Sequence, residues 1–319
     1  MSAGRAMGLL LGVAADTALG DPRRRHPVAG FGRAAMAAER AFYRDHPLPG
    51  AAYAAVLTGL PVIAGIAVER FGRRGPVSQA ITTAVVTWSV LGGASLAAEG
   101  TAMGRELDAG ELDAARERLP HLCGREPSTL DNLGLARASV ESVAENTSDA
   151  MVAPLLWGAL AGVPGLLGYR AVNTLDAMVG NRSARYRRFG WTAARLDDVA
   201  NLLPARASAA LTVLAAPVVG GSARGAWQAW RRDAPAHPSP NAGRVEAAFA
   251  GALSIRLGGR TMYPHGVEER PVLGDGRNPD SGHVTRAVEL SRVVGALAGG
   301  ASAVLAGALG ALRARRRGR

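Results

Sequence analysis

Apolar positions gather into five stretches, at about residues 51–68, 78–98, 150–169, 199–221 and 293–312, separated by segments rich in charged and turn-forming residues. A helix of about 20 residues covers the roughly 30 Å hydrocarbon core of a bilayer, so each stretch is long enough to be a span. The pattern predicts a mainly α, polytopic integral membrane protein with about four to five transmembrane or re-entrant helices and long polar loops, forming one membrane domain over residues 1–319. The stretches 78–98 and 293–312 carry no charge and read as packed transmembrane helices. The stretch 150–169 holds Pro154 and Pro164, and 199–221 holds Pro204, Arg206 and Pro217, so these two are expected to be kinked, re-entrant or buried against protein.

The intervening segments 22–50, 99–149, 170–198 and 222–292 are expected as polar loops. Within them, 99–119 reads as an amphipathic helix that can bury Leu107, Leu112 and Leu119, and a further helix is expected around 242–255. Three arginine-rich segments, 22–50, 170–198 and the R-A-R-R-R-G-R terminus, all ask for the cytoplasmic side. Five simple spans cannot satisfy that, which singles out 150–169 or 199–221 as non-spanning. The A-M-G-L-L-L-G-V-A-A run after Arg5 has the outline of a secretory signal, but Asp16 and Asp21 follow at once and D-P-R-R-R-H-P-V reads as a turn.

Composition narrows the chemistry. All 37 basic residues are arginine, so a P-loop lysine, a Schiff-base lysine and a lysine acyl-transfer base are excluded. Anions must be held by guanidinium groups or by helix N-termini. The net charge of +11 is spread through the loops without interleaved aromatics, which points to anionic lipid headgroups or phosphorylated substrates and not to nucleic acid. Cys123 is the only cysteine, which rules out an intrachain disulfide and a cysteine-rich zinc site.

Five polar strings carry the candidate chemistry. In D-T-A-L-G-D-P-R-R-R-H-P-V, residues 16–28, Asp21 stands near His26, a pairing that orients a general base, binds metal or pins a loop. In E-S-V-A-E-N-T-S-D, Glu141, Glu145 and Asp149 fall at i, i+4, i+8 on one helical face, with Asn146 beside them. Such a face is either solvated or compensated by a cation, Mg²⁺ or arginine. Asn173 and Asp176 sit one turn apart in N-T-L-D-A-M-V-G-N-R, which ends on Arg182. F-G-W-T-A-A-R-L-D-D-V-A-N-L-L-P-A-R places Asp197, Asp198, Asn201 and Arg206 at the edge of an apolar segment. In S-P-N-A-G, Asn241 and Gly243 open a helix whose N–H groups are suited to a phosphate, with Arg256 and Arg260 following.

Five such strings in this order, interleaved with apolar segments, resemble the CobD/CbiB family of cobalamin biosynthesis, the membrane-bound adenosylcobinamide-phosphate synthases. The resemblance runs over nearly the whole chain, through to the L-G-D-G near residue 275. It departs from the family pattern in three places. The R-D-T-S string stands here as Arg125, Glu126, Pro127, Ser128; the tryptophan after P-N-A-G is Arg244; and the lysine of K-P-x-L-G is Arg270.

The resemblance implies an ATP-dependent amide ligation that joins a propionate carboxylate of adenosylcobyric acid to aminopropanol or its O-phosphate. On that basis Glu141, Glu145, Asp149 and Asp176 are expected to hold Mg²⁺ on ATP. Asn146, Asn173, Arg182, Arg206, Asn241, Gly243 and Arg256 are expected to grip the nucleotide. Asp21, His26, Asp197 and Asp198 are the candidates for taking the proton of the attacking ammonium. The same resemblance implies a multi-pass protein of the cell membrane with its site open to the cytoplasm, contacts with membrane lipids but not nucleic acid, and room for homo-oligomers or association with other cobalamin-assembly enzymes. Two rivals stay open at this point: a transporter, because polar groups beside broken apolar helices also mark substrate paths, and a sensor or assembly protein of the same superfamily that lacks ligase activity.

Overall fold

A computed structural model describes residues 2–21, 26–263 and 266–317. The P-R-R-R of the first polar string and the side chain of Arg260 lie outside the described residues. The first half of the chain runs α1 (Ser2–Leu19), α2 (Pro27–Phe42), α3 (Pro47–Gly72), α4 (Pro76–Val90), α5 (Gly93–Asp108), α6 (Leu112–Arg118) and α7 (Asn132–Thr147). After a π-helical turn, Ser148–Val152, come α8 (Ala153–Ala161), α9 (Val163–Val179), α10 (Tyr186–Phe189), α11 (Trp191–Ala200) and α12 (Leu202–Ala215). The remainder is α13 (Ala223–Asp233), α14 (Ala242–Leu253), an antiparallel hairpin of β1 (Leu257–Tyr263) and β2 (Gly266–Leu273), and α15 (Ser281–Arg317). The protein is therefore mainly α, as its pattern predicts.

Four helices among the described residues are long and apolar enough to cross a membrane: Pro47–Gly72, Pro76–Asp108 counted across a break, Leu202–Val219 and Ser281–Arg316. Their apolar residues face outward at helical spacing, Val56, Leu60 and Ile63 on α3 and Val77, Ile81 and Val85 on α4. Outward leucine and valine on long apolar helices is the arrangement lipid requires, and the protein is a multi-pass membrane protein.

The chain divides into two compact units, the first of Met1–Gly92, Ala153–Asn201 and Ala298–Arg319, the second of Gly93–Val152 and Leu202–Leu297. In the first, α1 lies against α4 through glycines spaced four apart. A Cβ at Gly8 would come within 2.5 Å of the Thr83 Cβ, and Gly4 and Gly12 meet Gln79 and Thr87 in the same way. Small residues at i, i+4, i+8 let two backbones approach where lipid offers no hydrophobic driving force. The run that resembles a secretory signal is thus a packed helix.

A buried carboxylate organises the middle of this unit. Glu69, 6% exposed on α3, accepts from Arg5 Nη2 at 2.5 Å, from Arg73 Nη2 at 2.9 Å and from the Val163 backbone N–H at 3.0 Å. It so caps α9, whose entry turn at Gly162 has φ +75°, with Glu69 and Arg5 occupying the space a side chain would need. That turn explains why 150–169 is not one span. The stretch is split into a π-turn, the nine-residue α8 and the start of α9, all too short to cross.

Other expectations need correction. The stretch 78–98 is broken at Leu91 and Gly92, where ψ of 165° at Leu91 ends α4 before the glycine pair. Most of the segments read as polar loops are helical, because their polar residues bond one another across helices. The hairpin was not visible in the pattern, since its residues lack strict alternation and its bulge rests on Gly258 and Gly259 at φ +82° and +78°. The helix expected around 242–255 is present as α14; the stretch 99–119 is not one helix but is split after Asp108 into α5 and α6, and of its three leucines Leu107 and Leu119 are buried while Leu112 is half-buried.

In the second unit the π-turn is held by Ser208 on α12, whose hydroxyl donates to the Ser148 hydroxyl at 3.0 Å, and Thr147 donates to Ser291 on α15 at 2.7 Å. Helices α13 and α14 close to backbone contact, a Cβ at Gly225 falling 2.5 Å from the Gly251 carbonyl. Gly8→Val is expected to destabilise the protein by roughly 1–3 kcal/mol through overpacking of α1 on α4, read as earlier thermal unfolding in detergent. Gly59→Ala, into open space, should leave unfolding within about 0.5 kcal/mol of wild type.

Candidate functional site

The second unit contains a pocket of 220 Å³ walled by the segment 123–125, α7, the turn before α14 and β2. Glu141 is its hub. Only 2% exposed, it accepts from the Gly258 backbone N–H at 2.7 Å and from Arg270 Nη1 at 3.3 Å, and it pairs closely with Arg125. Arg270 also donates to Glu246 at 3.0 Å, and Glu246 is itself 1% exposed in the apolar helix α14. His237 completes the cluster, bonding Arg270 through Nε2 and receiving the Ser239 backbone N–H at Nδ1 over 3.1 Å. Burial holds the His237 pKa below its ordinary value; Glu246 pulls it up and Arg270 adds to the lowering. Buried charges survive only when paired, and here Arg125 and Arg270 face Glu141 and Glu246.

Outside the pocket lining, Arg137 is a further half-buried guanidinium whose pKa is lowered by burial, then by Arg125. The two guanidiniums of the pocket are desolvated and held in position by their carboxylates. Cys123 lines the same wall, and burial pushes its thiol pKa up, so it is a neutral wall residue and not a nucleophile.

The glycine of P-N-A-G has a steric origin, because a Cβ on Gly243 would strike the His237 side chain. The start of α14 does not offer the N–H groups the sequence suggests: those of Asn241 and Ala242 donate to Ser239 Oγ at 3.3 and 3.1 Å. Glu145 is exposed on the pocket wall one turn beyond Glu141, whereas Asp149 lies in the π-turn, outside the regular i+4 ladder. Asn146 bonds back to Ser142 O at 2.9 Å. Among the described residues no three of His, Cys, Asp and Glu converge as a metal site, and Glu141 spends its oxygens on two arginines and an amide.

The remaining predicted residues are dispersed. Arg206 donates to the Leu202 carbonyl one turn back on α12, and Arg256 to Asn278 Oδ1 at 2.8 Å. Asp21 stands 3.9 Å from His26, whose Nδ1 accepts the Val28 N–H and caps α2, so the cap is the firmer of its two contacts. Arg182 is exposed in the turn after α9, and Asp176 packs against Gly180 at the end of that helix.

A second polar cluster forms within the first unit. Tyr169 Oη donates to Asn201 Oδ1 at 2.9 Å, Asn201 Nδ2 to Asp197 Oδ2 at 2.9 Å, and Asn173 Nδ2 to Asp197 Oδ1 at 3.5 Å. Desolvation raises the Asp197 pKa from 3.8 to about 6 against the lowering effect of both asparagines, with Asp198 adding to the rise. Asp198 itself accepts from Arg195 at 3.1 Å. Sequence reading missed Arg125, His237, Glu246 and Arg270 as site residues. The acid in the apolar run V-E-A-A-F-A was the available signal, since a lone carboxylate there requires a partner.

A helical membrane protein with an arginine–carboxylate pocket framed by ordered polar strings is the class these observations define. The chain belongs to the CobD/CbiB family, whose model, described as CobD/Cbib protein, matches residues 9–291. It is 57% identical over 291 residues to the cobalamin biosynthesis protein CobD of Mycobacterium tuberculosis, covering 91% of this chain and 92% of that protein. Proteins of the same name from Chromobacterium violaceum and Rhodobacter capsulatus are 42% and 39% identical, each covering 89% of this chain and 91% and 92% of their own lengths. No solved structure matches.

Two outcomes follow. Glu141→Gln leaves Arg125 and Arg270 short of a buried counter-charge and should cost roughly 3–5 kcal/mol, whereas Glu145→Gln should change stability by less than about 1 kcal/mol; denaturant unfolding in detergent reads both. Asp197 holds its proton more tightly folded than unfolded. Its contribution to stability is therefore fully present below pH 3.8 and is lost as pH rises to about 6. The loss is at most roughly 3 kcal/mol, less where solvent reaches the group. Asp197→Asn should flatten that slope; an unchanged melting-temperature profile between pH 4 and 7 would contradict the assignment.

Proposed function

We propose that this protein acts in cobalamin biosynthesis as an adenosylcobinamide-phosphate synthase. In this reading it is an ATP-dependent ligase of the cell membrane, its site open to the cytoplasm, that forms an amide between a propionate of adenosylcobyric acid and aminopropanol or its O-phosphate. What supports the reading is that four family strings, R-E-P-S, E-S-V-A-E, P-N-A-G and R-P-V-L-G, come together around one arginine-lined pocket in a chain that contains no lysine. The pocket volume of 220 Å³ lies below the ~300–1,000 Å³ typical of whole-ligand sites. It suits a phosphate-bearing end or a three-carbon amine and excludes a corrin ring.

A carboxylate does not condense with an amine unaided, because oxide is not a leaving group. ATP, when bound, supplies the phosphoryl group that converts the propionate oxygen into one that departs as phosphate, with ADP released. The protein's part is charge and position. Arg125 and Arg270 are already desolvated and held by Glu141 and Glu246, so they can face developing phosphoryl charge without reorganising. Glu145, the exposed carboxylate on the same wall, is the residue that would meet Mg²⁺ carried by the nucleotide; Glu141, committed to arginine, does not fit that role.

Purified protein in detergent, given adenosylcobyric acid, aminopropanol phosphate and Mg-ATP, should form one ADP per amide. Arg270→Gln should lower kcat/KM by about 10²–10³-fold, with Arg270→Lys falling between. Folded protein that is inert with both the free and the phosphorylated amine would overturn the reading and favour a transport or assembly role.

A further inference from the structure

A second cavity of 530 Å³ opens in the second unit at the far end of α14, lined by Gly220, Ser222, Ser254, Arg277, His283 and Arg286 among others. It is chemically unlike the first pocket, because no carboxylate lines it. Two guanidiniums, an imidazole and two serine hydroxyls do. Each guanidinium is held by a contact that leaves donor capacity over. Arg286 Nη2 donates to the carbonyls of Gly220 and Val219 at 3.2 and 3.5 Å. Arg277 Nε donates to His283 Nε2 at 3.3 Å. His283, 2% exposed, is held from behind at Nδ1 by Asp280 Oδ1 at 2.5 Å, and Asp280 also makes a long ion pair, 3.9 Å, with the Arg277 guanidinium.

Apart from Asp280, which stays outside the lining, the acceptors around the cavity are satisfied by the backbone. The C-terminal carbonyls of α14 would oppose an anion, but those of Ala250, Gly251 and Ala252 already accept from Ile255, Ser254 and Ser222. The N-terminus of α13, capped by Ser222, contributes its positive end to the same side. The cavity lies where the apolar helix Leu202–Val219 ends and beside the polar first turns of α15, ahead of its apolar stretch 293–312.

We propose that this cavity is a binding site for a phosphate group, gripped by the Arg286 and Arg277 forks with Ser222 and Ser254 as hydroxyl donors. Guanidinium is the residue chemistry that meets phosphate oxygens two at a time. The proposal does not depend on the ligase reading or on the first pocket. A phosphorylated water-soluble small molecule and a phospholipid headgroup share this chemistry.

The test is titration of the full chain with inorganic phosphate, followed by hydrogen exchange of the segments 219–225 and 277–287. Saturable protection is expected there, weakened at least tenfold in Arg286→Gln and in Arg277→Gln, partly restored in Arg286→Lys, and retained in Arg270→Gln. Repeating the titration in nanodiscs separates the sources. If phosphatidic acid in phosphatidylcholine removes the phosphate response, the occupant is a headgroup; if it does not, a soluble phosphate; either supports the site. Absence of protection in these segments, or protection undiminished in a folded Arg277→Gln/Arg286→Gln double variant, overturns it. Melting temperatures of the variants close to wild type, with the lysine rescue, keep a folding defect from passing as lost binding.

Discussion

Glu141 is one carboxylate bonded to three separated parts of the chain: Arg125 in the loop before α7, the Gly258 amide at the β1 bulge, and Arg270 on β2. Everything in the pocket depends on that arrangement. A carboxylate at 2% exposure is tolerable only with its lone pairs filled, and two arginines at similar depth are tolerable only with counter-charge. Each group therefore fixes the others, and the hairpin is tied to α7 by the same contacts. Gly258 is required twice over, for its φ of +82° and because a Cβ there would strike the Pro271 carbonyl.

The first unit applies the same rule to different ends. Glu69 takes two arginines and a helix N-terminus, and the outcome is a fixed break between α8 and α9. In lipid a broken helix needs its exposed amides satisfied by protein, and Glu69 does this at Val163. The absence of lysine suits both places, since guanidinium serves several acceptors at once while an ammonium is a strongly hydrated point charge.

Some of this was legible in the residues. Helical character, the outward apolar faces, α14 and the broken nature of 150–169 follow from composition, periodicity and the positions of Pro154 and Pro164. The site was legible as strings but not as contacts. Glu141 carried its spacing signal, yet whether its partner was a metal or arginine depended on Arg125 and Arg270, which lie 16 and 129 residues away. His237 and Glu246 sat in stretches that read as turn and as apolar helix. The glycines of α1 were visible at i, i+4, i+8, but that spacing is also compatible with a processed leader, and only the facing threonines of α4 show its use.

The sequence by itself determined the class of structure and the chemical vocabulary. Periodicity acts within one helix, so a stretch of apolar residues specifies a span without knowing its neighbours, and a chain with no lysine must meet anions with arginine wherever it folds. Only the tertiary structure decided which charges are spent on one another and which remain for a ligand. Pairing energies depend on distance and burial, and both are set by contacts between residues far apart in the chain. That is why Glu141, one helical turn before Glu145, is closed in by guanidiniums while Glu145 is exposed on the pocket wall.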